Sequence, residues 1–269
     1  MRAGLAGLLL CGTLAACAPQ RAQTPAFDAD VPPFARQPYQ LFSRTDAIAI
    51  AQREWRLFGQ QVDDDPPGTH PDLGEAKPER QPGLWQRVGE YWWLGINAGD
   101  PARAWTGKHD AQGQVFPPAR DGDYAWSAAF ISYVMRIAGA GGLFPYSPAH
   151  HTYIDIAAQM SEGRTSGWAV RALDPAQSVP QPGDLICTGR GTARLLTFQD
   201  LPAGSYTAHC DIVVEDTDQG WAVIGGNVDD TVTLKHVPHD STGRIATPDG
   251  TSLDPRTPWM VVIQVDYRA

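Results

Sequence analysis

Ser127 begins an apolar run, Ser127 to Ala138, with Phe130, Ile131, Val134 and Ile137 at helical spacing. Its hydroxyl therefore falls in a first helical turn, where backbone N–H groups without intrahelical partners favour negative charge. His209 lies near the head of the run Ala208 to Glu215, which has strand character, and Asp211 shares its face because alternate strand residues point the same way. Asn227 ends a third segment, Val223 to Val228, after the turn-forming Gly225 and Gly226. A hydroxyl, an imidazole and groups that can orient the imidazole are the ingredients of acyl transfer. Each also has a plain structural use: Ser127 as a helix cap, His209 as a satisfied strand residue, Asn227 as a turn residue. Signals for other chemistries are missing: the sequence has no G-x-S-x-G elbow, HExxH, S-x-x-K or phosphate-cradling G-x-x-x-x-G-K.

The elements that must position these residues follow from the hydrophobic period. Ser43 and Asp46 give a capping signal before Ile48, Ala51, Trp55 and Phe58, which predicts a helix over 45–58 closed by Gly59. Pro82 opens a second helix, with Leu84, Val88, Tyr91 and Trp92 on one face, ending near Gly95. The third runs from Ser127 to Ala138, and the fourth, short one from His150 to Met160. From Trp168 onward the pattern changes to short strand-like runs: Trp168 to Leu173, Asp184 to Cys187, Ala208 to Glu215, Trp221 to Gly225, Thr231 to Val237 and Trp259 to Tyr267. Helices followed by strands predict an α+β fold with an antiparallel sheet. The polar loop 60–81 contains Asp63, Asp64 and Asp65, which invites a calcium reading, although a solvated loop is the commoner meaning of such a run.

The first residues carry an address. A single Arg, an apolar run and small residues ending at Cys17 read as an export signal, too short to span a membrane. Leu14-Ala15-Ala16-Cys17 fits the lipobox of bacterial lipoproteins, in which cleavage before the Cys leaves a lipid-bearing N-terminal residue. The expected organisation is a signal peptide over 1–16, a lipid-anchored Pro-rich tether over 17–42, and one domain over 43–269. The membrane is then a partner through lipid on Cys17, and the protein is an exported, periplasm-facing lipoprotein of the envelope. Of the four cysteines, only Cys187 and Cys210 remain for the folded part, in an oxidising compartment. A disulfide between them is the economical expectation; free thiols or metal ligands are the alternatives, and no metal or other cofactor is expected.

The order of the motifs resembles the papain-like amidases of the NlpC and CHAP types: a helix start at Trp126-Ser127-Ala128-Ala129-Phe130, a Pro182-Gly183-Asp184 turn into the sheet, His209 on the next strand, and Asn227 on the one after. It is also similar to the bacterial family called domain of unknown function 2272, which shares the helix start, the His-x-x-Tyr segment at His150 to Tyr153, the Pro-Gly-Asp turn and the His209-Cys210-Asp211-Ile212 strand. The resemblance implies a papain-like fold with Ser127 as nucleophile, His209 as base and Asn227 as orienter, Asp211 being the rival orienter. His150 and His151 follow a Pro-rich loop near that helix in sequence, so with Trp126 and Tyr153 they are candidates to line the cleft, a helix cap with solvated imidazoles being the alternative for the two histidines. Here Ser127 stands where the amidases place Cys. A hydroxyl is too weak an acid to form the thiolate–imidazolium pair, so it needs a true general base.

Composition removes other classes. With 27 Gly and 23 Pro in 269 residues, well above the roughly 12% usual for the two, an all-helical bundle is excluded. A net charge of −9 without a basic cluster argues against nucleic acid as a partner. What remains is a hydrolase cleaving an amide in peptidoglycan peptides, or a non-catalytic module of the same fold that binds the wall or an envelope protein. A metal site drawn from His209, Cys210, Asp211 or Cys187 is the distant third reading.

Overall fold

The computed structural model describes residues 40–96, 106–110 and 112–268. Signal, tether up to residue 39 and Cys17 lie outside the described residues. The folded body runs from Gln40 onward. Phe42 is buried against Tyr267, their rings 4.5 Å apart, and the Gln40 side chain donates to the Ile137 carbonyl. Residues 40–42, expected in the tether, therefore belong to the domain: an aromatic residue that can close the core against the last strand gains more by burial than by extending the linker.

Helices and strands occur where the period places them. Helix α1 (Arg44–Leu57) is capped by Ser43, whose Oγ accepts from the Asp46 amide. Helices α2 (Leu84–Gly95), α3 (Ser127–Ile137) and α4 (His150–Ser161) precede strands β1 (Val170–Leu173), β2 (Leu185–Gly189), β3 (Ala208–Thr217), β4 (Gly220–Val228), β5 (Thr231–Val237) and β6 (Trp259–Val265). The strands form one antiparallel sheet in the order β1-β6-β2-β3-β4-β5. The fold is α+β. Among the described residues no helix is long and apolar enough to cross a membrane.

Strand alternation divides the sheet's side chains. Cys210, Ile212 and Val214 of β3 join Ile224 of β4 and the helices in the main core, while Val213 and Val223 join Trp221, Val237 and Trp259 in a smaller cluster. Cys187 pairs with Cys210 across β2 and β3 and is bonded to it as a disulfide, as expected. The cysteines are thus unavailable as metal ligands. The Pro-Gly-Asp turn has a structural role, since Asp184 accepts from the Gln181 and Val265 amides, tying the start of β2 to its own turn and to β6.

Helix α3 is the most deeply buried of the helices, with Ser127 through Met135 all inside. It can approach β4 because position 226 is glycine; a Cβ there would stand 2.6 Å from the Cβ of Phe130 and 2.8 Å from the Trp126 indole. Behind it, the buried Glu54 of α1 receives Arg87 Nε at 3.0 Å and the Tyr91 hydroxyl at 2.7 Å, joining α1 to α2. These contacts fix the height at which Ser127 meets the end of the sheet.

Candidate functional site

Ser127 is the first residue of α3, and the residue before it, Trp126, holds the cap position without a side-chain bond to the helix. Ser127 is therefore not a capping serine. Its Oγ lies 2.7 Å from Nε2 of His150, the first residue of α4. On the other side of the imidazole, Nδ1 is hydrogen-bonded to the Tyr153 hydroxyl, one helical turn further along α4. The chain Ser127–His150–Tyr153 is buried, with His150 4% and Tyr153 0% exposed. Burial, then the charges of His209 and Arg190, hold the His150 pKa well below its ordinary value, so its imidazole is neutral at pH 7.

A second pair adjoins it. The rings of His150 and His209 are 5.3 Å apart. His209 Nε2 is 2.8 Å from Asp211 Oδ1, and Lys235 Nζ is 2.6 Å from Asp211 Oδ2. Burial alone would raise the Asp211 pKa, but Lys235 and His209 outweigh it and keep the carboxyl well below its ordinary range. A carboxylate only accepts, so Nε2 of His209 carries the proton and Nδ1 presents a bare lone pair. That buried Nδ1 has no hydrogen-bond partner. Burial pushes His209 down to about 4 against the opposing pull of Asp211. Glycine at 225 makes room for the pair: a Cβ there would stand 1.8 Å from Asp211 Oδ1 and 3.0 Å from His209 Nε2.

His209 opens on a cavity of about 640 Å³ whose walls include Asn227, Arg190, Lys235, Asp63 and Asp229. Asn227 stands on this wall with φ of 55°, while the hydrogen bond on His209 goes to Asp211. His151 is half-buried at the surface beside the Tyr206 ring. Trp126 is a correction to the cleft-lining set: it is fully buried, packed on Tyr91, and its indole donates to Glu79 Oε2. Tyr153 is likewise enclosed and touches His150 instead of solvent. Large aromatic side chains next to a helix start are drawn into the core, and sequence position alone does not separate lining from packing.

Sequence reasoning missed the buried acid beneath the helix start. Glu79 is 2% exposed, its Oε1 has no hydrogen-bond partner, and burial pushes its pKa up to about 8. Nearby, Lys77 and Arg80 meet Asp121 at 3.3 Å and 2.7 Å. The surrounding loop is polar and Pro-rich in sequence, which disguises burial. Lys235 was missed because a lone cation on a strand reads as solvated. Asp63 and Asp229 of the cavity lining and His70 place ligand atoms within 4.8 Å of one another, the one such group that could hold a metal among the described residues. Asp229 already engages His70 there by a hydrogen bond.

The family model described as "Uncharacterized protein conserved in bacteria (DUF2272)" matches residues 79–265, and the chain belongs to that family. No curated protein and no solved structure matches it.

Proposed function

From this membership in an uncharacterized bacterial family, we propose that the chain is an exported, lipid-anchored hydrolase of the papain-like NlpC and CHAP type. It would cleave an amide in peptidoglycan peptides, with Ser127 as nucleophile. The observation that carries the reading is the 2.7 Å contact between Ser127 Oγ and His150 Nε2. It places a hydroxyl and an imidazole in hydrogen-bond reach, with Tyr153 holding the far side of the ring.

In this reading Ser127 Oγ attacks the amide carbon while His150 Nε2 takes its proton. The first amides of α3, which have no intrahelical acceptor, face the oxyanion that forms. His150 then gives the proton to the leaving nitrogen as the C–N bond breaks, and a water molecule, deprotonated by the same ring, releases the acyl group from Ser127. His209, with its Nδ1 lone pair toward the interior and Asp211 behind it, stabilises the transient His150 imidazolium. The assignment of the base thus moves from His209 to His150, and the orienting contact on His209 belongs to Asp211 where Asn227 was the first expectation. The lipobox at Leu14 to Cys17 supports delivery to the envelope, where such a substrate lies.

The test is incubation of the protein with purified peptidoglycan and its peptide fragments, with products identified by mass spectrometry. Wild type should release new amine termini and Ser127→Ala should not. Equal release by both would refute the assignment, and activity gained only by Ser127→Cys would point instead to a scaffold retained for binding, the alternative that the Ser for Cys exchange favours.

A further inference from the structure

The charges around the cavity are divided, and one of them is uncommitted. Lys235 is held by Asp211, Arg256 by Asp254 at 2.8 Å and by Asp64, and Arg194 donates to the Arg256 carbonyl at 3.3 Å. Arg190 lines the same cavity, and among the described residues its guanidinium has neither a hydrogen bond nor an ion pair. Its backbone is fixed, because its amide donates to the Thr207 carbonyl and its carbonyl accepts from Thr207 Oγ1, both at 2.8 Å. A planar fork of donors on an anchored backbone is suited to a carboxylate, which it can bind through two parallel bonds.

The same cavity is also acidic. Asp63, Asp65 and Asp229 line it, and Asp229 is near enough to Arg190 to attract its charge. His70 is the cation-forming group among them, 3.4 Å from Asp65 and 3.9 Å from Asp63. A simple anion entering this cavity would be drawn to Arg190 and repelled by the three carboxylates that share the lining, in a chain whose net charge is already −9. A ligand with a positive end as well satisfies both kinds of charge in the lining. A volume of about 640 Å³ accommodates a peptide of a few residues.

We infer that the cavity beside His209 takes a short dipolar peptide, its free carboxylate on Arg190 and its ammonium group toward Asp63, Asp65 and Asp229. This names the substrate class of the proposed hydrolase and rests on that reading for the consequence of binding, though not for binding itself. Peptides with free ends are what the cavity selects, and blocking either end removes a charge that the wall is built to meet.

Titration calorimetry on the full chain carrying Ser127→Ala, so that nothing is turned over, tests this. The probes are di- and trialanine of both chiralities, each with free ends, with an amidated C-terminus, and with an acetylated N-terminus. At least one free-ended peptide should bind, and amidation should weaken it at least tenfold. That penalty should vanish in Arg190→Gln, with Arg190→Lys intermediate, and the acetylation penalty should shrink in Asp63→Asn combined with Asp65→Asn. Thermal melts establish that each variant is folded, and a misfolded Arg190→Gln leaves Arg190→Lys as the comparison. Absence of binding by every free-ended peptide at millimolar concentration, or an amidation penalty as large in the Arg190 variants as in the parent, would overturn the inference. Charge-dependent binding with no cleavage by the unmodified chain would support it while defeating the hydrolase reading. Cleavage indifferent to blocked ends would do the reverse.

Discussion

Ser127 and His150, each the first residue of its helix, meet through a 2.7 Å contact although 23 positions separate them in the chain. Two helix starts converge there, so the hydroxyl lies where the helix dipole favours an anion, while burial keeps the imidazole neutral. The pair is a hydroxyl and an imidazole held by rigid elements instead of loops, with the end of the sheet as its third wall.

Acidification should act on stability through His209 before it acts through most carboxylates. Its pKa is about 4 in the folded chain against 6.5 for the free side chain, so the unfolded chain binds the additional proton between those values. The neutral buried ring contributes its full stability above pH 6.5, and that contribution is lost as pH falls toward 4, amounting to about 3 kcal/mol at most. Thermal melts from pH 7.5 to 4.5 should show a falling Tm, with a shallower slope in His209→Gln. A wild-type Tm that is flat over this range would contradict the assignment. The proposed hydrolysis, needing a neutral His150 whose pKa burial lowers well below its ordinary value, should lack the midpoint near 6.5 of an exposed histidine.

Gly225→Ala should disrupt the His209–Asp211 pair without touching Ser127. The added methyl would collide with Asp211 Oδ1, so the carboxylate must leave either His209 or Lys235. Overpacking of this kind costs about 1–3 kcal/mol. Denaturant unfolding should register that loss, and the imidazole N–H resonance of His209 should shift. Unchanged stability together with an unchanged resonance would show that the strand has more room there than the structure gives it.

Glu79→Gln should stabilise the protein in alkaline solution. A carboxyl with a pKa of about 8 when folded and 4.5 when free holds its proton more tightly in the native state, so its contribution is favourable at low pH and declines as pH rises from 4.5 to 8. Replacing it with a neutral acceptor for the Trp126 indole keeps the hydrogen bond and removes the decline, a gain of up to about 5 kcal/mol at pH 8.5. Chemical denaturation at pH 5 and pH 8.5 measures it; a variant less stable than wild type at pH 8.5 would mean that Glu79 is ionised and paired.

The Cys187–Cys210 bond closes a loop with a sequence separation of 23, which by chain entropy is worth about 3 kcal/mol. Mass analysis without reductant should find the chain two hydrogens lighter than its reduced form. Reduction, or the double substitution Cys187→Ala and Cys210→Ala, should lower Tm by several degrees; a Tm indifferent to reductant would place the bond outside the stabilising framework.

Much of this architecture was legible in the sequence, because the helix and strand periods of the domain are strong. The run from Ser127 to Ala138 could bury its face only as a helix, and Cys210 and Cys187 fell on neighbouring strands whose alternation turned them away from His209. The site was legible as a set of residues but not as a set of bonds. His150 read only as cleft lining because nothing in the spacing of α3 and α4 reveals that their first turns touch. Asp211 and Asn227 competed for His209 until the strand geometry decided which was two residues away on the same face and which stood on the cavity wall. Glu79, Arg190 and Lys235 were invisible for a common reason: a charged residue in a polar loop or strand end reads as solvated, and burial or an empty hand of donors appears only when distant segments are folded together.

The most direct measurement is the intact mass of the protein quenched in acid during turnover of a peptidoglycan peptide, followed by mapping of any adduct. An acyl group should be found on Ser127, absent in Ser127→Ala, while His150→Ala should form it on the order of 10²–10⁴ times more slowly. Peptide cleavage that proceeds undiminished in Ser127→Ala with no adduct on Ser127, or no cleavage by wild type at all, would contradict a Ser127–His150 hydrolase.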